Sequence, residues 1–97
     1  MTLKEFKSSL AEKKPPHQLS ILLQALWYDA KGDWEASHNL AQDVNTKDGS
    51  WIHAYLHRKE GDSGNASYWY HRANRNMPSY SLDQEWEDIS SHFLNNE

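Results

Sequence analysis

The sequence predicts an all-α fold: one domain of antiparallel helical hairpins, stacked as a short array between an N-terminal and a C-terminal flanking helix. Three observations lead there. Apolar residues recur at spacings of three and four along most of the 97-residue chain, the period of an amphipathic helix. The pair Gly-Asp stands twice between such segments, at 32–33 and 61–62; there glycine can end one helix in a left-handed conformation and aspartate can cap the next. No segment alternates apolar and polar residues for long enough to suggest a strand.

Thr2 and Glu5 have the spacing of a capping box, and Leu3, Phe6 and Leu10 follow on one helical face. This first helix is expected to stop near Lys14, because Pro15 and Pro16 cannot continue it. From about His17 to Lys31, Leu19, Leu22, Leu23, Leu26 and Ala30 form one apolar stripe, while Ile21, Ala25 and Tyr28 form a second, as expected of a central helix. After Gly32-Asp33, residues Ser37, Leu40, Ala41 and Val44 supply the buried face of its partner. The polar run 45–49 reads as a loop, with Ser50 capping a helix from Trp51 to about Glu60. A further helix is expected from about Ser63 to Arg75, closed by Met77-Pro78. Ser81 and Gln84 then open a last helix, to about residue 94, with Leu82, Trp86, Ile89 and Phe93 on one face. Two hairpins, 17–45 and 50–78, are thereby expected within a single domain spanning 1–97.

Composition narrows the function. Five Trp and five Tyr compensate for a sparse aliphatic complement, since each large ring buries about 150–250 Å². A net charge of −4, with no concentrated basic surface, argues against nucleic acid as a partner. The chain has no cysteine, hence no disulfide or thiolate chemistry, and no apolar run long enough for a signal peptide or membrane span. A cytoplasmic location and no membrane association are the resulting expectations. No Gly-rich phosphate loop, HExxH pair or nucleophile elbow is present, so neither enzymatic activity nor a cofactor is expected. Lysines gather near the start and carboxylates near the end, which allows the two ends to attract each other.

Ala25 and Ala54, and likewise Gly32 and Gly61, lie 29 residues apart (54 − 25 and 61 − 32), a mark of stacked helical units. The stretch GDSGNASYWYHRANRNMP, residues 61–78, resembles the second half of a tetratricopeptide repeat: Gly-Asp at the turn, then Ala66, Tyr70, Ala73 and Pro78 at that family's spacing. The resemblance implies a helix-turn-helix array that holds a protein or peptide partner. Departures are visible too. Ser50, His53, Ala54 and His57 stand at the first-helix landmarks, and the earlier hairpin has Ser37 where alanine is usual and a shorter period than the family's roughly 34 residues. Residues 51–73 are also similar to a block found in small uncharacterised bacterial proteins, a likeness that implies no function.

Trp51, Tyr55 and Arg58 fall on one side of their helix, the side that lines the concave groove in the resembled family; aromatic rings and arginine suit partner binding there, and packing against a neighbouring hairpin is the alternative. Tyr68 and Arg72, continued by Arg75, form a second strip suited to an acidic peptide. Trp34, Tyr68, Trp69 and His71 gather around the hairpin turns, with Trp69 expected in the core. His53 and His57 are one turn apart and Glu60 lies near the same side, half of a metal site for which His38 or His71 would supply a third ligand; semi-buried structural histidines are the competing reading. The function expected is therefore an interaction module for a protein or peptide. A small metal-binding protein and a structural homodimer are the alternatives.

Overall fold

In the computed structural model, which describes residues 1–96, each of the six α-helices begins at a Ser, Thr or Asp whose side chain accepts the amide three residues on. They are α1 (Leu3–Ser8, continued by a 3-10 turn over Ser9–Ala11), α2 (Ile21–Ala30), α3 (Trp34–Gln42), α4 (Lys47–Lys59), α5 (Ser63–Arg72) and α6 (Leu82–Asn95). The fold is all-α, as the periodicity predicts, with no strand among the described residues. None of these helices is long and apolar enough to cross a membrane.

Four boundaries differ from expectation, each for a local reason. The first helix tightens into its 3-10 turn and ends at Ala11, short of Lys14. α2 starts at Ile21 rather than His17, because Gln18 takes a left-handed conformation (φ 69°) and Ser20 Oγ caps the Leu23 amide at 3.2 Å. α5 ends at Arg72 rather than Arg75, two residues before a second left-handed position at Asn74 (φ 59°). The largest difference lies in 45–49, expected as a loop. Thr46, not Ser50, caps α4, accepting the Gly49 amide at 3.1 Å, and the helix runs straight through Gly49.

Gly49 is needed there for space rather than for a turn. A Cβ on it would lie 2.1 Å from the Val44 carbonyl oxygen. Alanine ordinarily gains about 1 kcal/mol over glycine inside a helix. Here the clash is with backbone, so Gly49→Ala is expected to destabilise by about 1–3 kcal/mol, the usual cost of overpacking. The denaturant midpoint measures this, and a rise in the midpoint would show that helix propensity wins.

The 29-residue offset is carried into three dimensions. Gly32 and Gly61 have φ of 87° and 86°. Asp33 N donates to Tyr28 O and Asp62 N to His57 O, both at 2.9 Å, and each aspartate then caps the following helix. Ser37 and Ala66, both fully buried, occupy matching places one turn into α3 and α5. The two turns thus produce two antiparallel hairpins, α2/α3 and α4/α5, which pack together through α3 and α4.

α6 lies across α2 and α4, and α1 lies on α6. Trp86 stacks on Phe6 (5.6 Å between centroids, 11° between planes), and its Nε1 donates to Leu26 O at 2.9 Å. An exposed ion pair, Lys7–Glu87 at 3.3 Å, joins the basic start to the acidic end and adds little, at most about 1 kcal/mol.

Candidate functional site

The Trp51, Tyr55 and Arg58 stripe, expected on an open groove, is internal. Trp51 and Tyr55 are only 5 % and 2 % exposed, because α6 closes over one end of the stripe and α2 over the other. Two buried carboxylates face it. Glu85, fully buried on α6, accepts Arg58 Nη1 at 2.8 Å, Tyr70 OH at 2.6 and 2.8 Å, and Trp51 Nε1 at 3.2 Å. Arg58 also donates to the Tyr80 carbonyl. Asp29 on α2 accepts Tyr55 OH and Lys59 Nζ, each at 2.8 Å. Burial first, then the adjacent carboxylates, push both phenols well above the ordinary tyrosine range, so they remain hydrogen-bond donors. The stripe binds, but what it binds is the chain's own carboxylates.

The Tyr68 and Arg72 strip is at the surface. Tyr68 is 53 % exposed; Arg72 donates to its hydroxyl at 3.2 Å and lies over both the Tyr68 and Trp69 rings, at 5.9 and 5.4 Å. Beyond the helix end Arg75 lies over the buried Trp51 ring, 3.4 Å from its centroid. Among the described residues neither Arg72 nor Arg75 forms an ion pair; Arg58, the third arginine, does. A cavity of about 260 Å³ lined by Trp51, Asn74, Arg75, Asn76, Pro78, Tyr80 and the Arg58-paired Glu85 lies beside this strip, and a second of about 240 Å³, sharing Asn74, Arg75 and Asn76, is lined also by His71.

His53 and His57 meet His38 from α3, one ring nitrogen of each lying within 4.8 Å of the others. His38 Nε2 and His53 Nε2 are in hydrogen-bond contact at 3.0 Å, and His57 Nδ1 is 2.6 Å from Glu60 Oε1. Two indoles enclose the cluster. Trp34 stacks on His38 at 4.8 Å and Trp69 on His53 at 4.0 Å. Trp69, expected in the core, is instead a partly exposed lid between His53 and Arg72. Burial, and then the neighbouring imidazoles, lower the pKa of His53 to about 4; burial and His57 lower that of His38. His71 takes no part in this cluster.

A further cavity, about 400 Å³ between α1, α2, α4 and α6, has charged walls, but Lys7 is paired there with Glu87 and Lys59 with Asp29. Its cations are already satisfied, which makes it a poorer ligand site than the arginine strip. Comparison with family models, curated proteins and solved structures gave no match.

Glu85 and Asp29 lie outside the set that the sequence motifs single out. A signal for them is nonetheless present: Glu85 is one turn before Ile89 on the apolar face of α6, and Asp29 is carried by an otherwise apolar helix. A carboxylate in such a place needs partners from elsewhere in the chain.

Proposed function

We propose that this chain is a tetratricopeptide-like interaction module, without catalytic activity, that holds an acidic peptide segment of a partner protein on the Tyr68, Arg72 and Arg75 face. The observation that carries this reading is the state of the two arginines. Each guanidinium lies over aromatic rings and, among the described residues, pairs with no carboxylate, in a molecule with four more acidic than basic side chains. Stacked arginine loses little freedom on binding and can clamp a carboxylate with two parallel hydrogen bonds. The adjoining polar cavities, with Asn74 and Asn76 in their walls, offer further donors to a peptide backbone. The repeated Gly-Asp turns support the repeat-like reading of the scaffold.

Fluorescence anisotropy with a labelled Glu- and Asp-rich peptide tests the proposal. Reversal of both charges, Arg72→Glu with Arg75→Glu, is expected to weaken binding at least about tenfold, equivalent to about 1.4 kcal/mol, with the helical circular dichroism unchanged. Raising the salt concentration should weaken the wild type more than the double variant. Equal affinity of the two proteins, or no binding of acidic peptides at all, sinks the idea. A sedimentation profile of dimers that the double variant converts to monomers would mean that the acidic segment is supplied by a second copy.

A further inference from the structure

We propose that His38, His53 and His57 form a binding site for a divalent transition-metal ion of the zinc class, with Glu60 as the carboxylate that orients His57. The inference is independent of the peptide-binding face. Three imidazoles from two helices converge where α3 packs on α4, and imidazole nitrogen is a preferred ligand of zinc, copper and nickel.

The geometry is near what an ion requires. Zinc–nitrogen bonds of about 2.0–2.1 Å in a tetrahedron put donor atoms about 3.4 Å apart. His38 Nε2 and His53 Nε2 are already at 3.0 Å, and a ring nitrogen of His57 lies within 4.8 Å of a ring nitrogen of each of them. The gap between these two nitrogens marks where the ion would sit. Coordination by both Nε2 atoms places the N–H of each ring on Nδ1, so the ring that now donates changes tautomer and no proton need leave.

Glu60 is the second, separate pointer. It holds His57 at Nδ1, which fixes the N–H there and leaves Nε2 as the coordinating atom, the arrangement found behind many metal-bound histidines. It also brings negative charge to a half-buried cation, and Asp62 lies within 4.8 Å of the same pair. Trp34 and Trp69 restrain the His38 and His53 rings by stacking, while His38, only half-buried, gives access from solvent.

Cobalt(II) is a suitable probe, because four-coordinate cobalt absorbs visible light far more strongly than the hexaaqua ion. Titration of the metal-free full chain is expected to develop that absorption to one ion per chain, to lose it on addition of Zn²⁺, and to raise the melting temperature as a native-state ligand must. His38→Gln, on a half-buried surface of α3, should retain the helical circular dichroism and abolish the absorption. Glu60→Gln should leave a site about 10–100-fold weaker. Absent absorption in the wild type, absorption that survives His38→Gln, or unchanged affinity in Glu60→Gln would each overturn the assignment.

Discussion

Arg58→Met is expected to destabilise the fold by about 3–5 kcal/mol, because it leaves the Glu85 carboxylate buried without its countercharge. Replacing an ordinary surface arginine costs far less, within about 0.5 kcal/mol. Two features separate Arg58 from that class. Its partner is fully buried, and its guanidinium also holds the Tyr80 carbonyl, so one side chain secures α6 and the segment before it. Tyr70 and Trp51 would still donate to Glu85, but neither carries charge. A domain of this size has a total stability of only about 5–15 kcal/mol, so the loss would be visible as a large drop in the urea midpoint. Neutralising the acid as well, in Arg58→Met with Glu85→Gln, should recover part of the loss, since the buried charge has gone. A single variant within about 1 kcal/mol of wild type, the range typical of solvent-exposed ion pairs, would mean that water reaches Glu85.

Trp86→Ala should cost a similar amount, about 3–5 kcal/mol, through a cavity where the ring now fits between α1, α2 and α6. Three things are lost together: buried apolar area, the stack on Phe6, and the indole donor to Leu26 O. Trp86→Phe isolates the last of these and should lose only about 1 kcal/mol plus the difference in volume. At roughly 4–8 °C for each kcal/mol, thermal unfolding resolves the two variants easily. Hydrogen exchange adds a spatial check. α1 amides should lose protection in Trp86→Ala more than those of α3, because Phe6 is buried against this ring. Uniform loss over both helices would show that α1 has no separate dependence on Trp86.

The helical turns are legible in the sequence because their chemistry is local. Gly-Asp specifies a left-handed residue and a cap within two positions, and the structure has both at 32–33 and 61–62. The cap at Thr46 is hidden because Lys47, Asp48 and Gly49 look like a loop unless the Val44 carbonyl is known to press on position 49. The same division runs through the candidate sites. Spacing alone places Trp51, Tyr55 and Arg58 on one face, and His53 with His57 on another. What covers each face depends on residues 15 to 34 positions away: His38 for the histidines, Asp29 and Glu85 for the stripe. Helical periodicity carries no information at that range. Arg75 is a further case, since its platform, Trp51, belongs to a different hairpin arm.

The position of α6 bears on how the chain comes off the ribosome. Both hairpins are synthesised before it, yet Trp51, Arg58, Tyr70 and the Leu26 carbonyl all find their partners on Glu85 and Trp86. Until those late residues emerge, the nascent hairpins present an aromatic and cationic flank with nothing to cover it, which is the condition under which chaperones engage growing chains. A premature stop upstream of Leu82 would therefore yield a product that quality control removes, rather than a shortened but working domain.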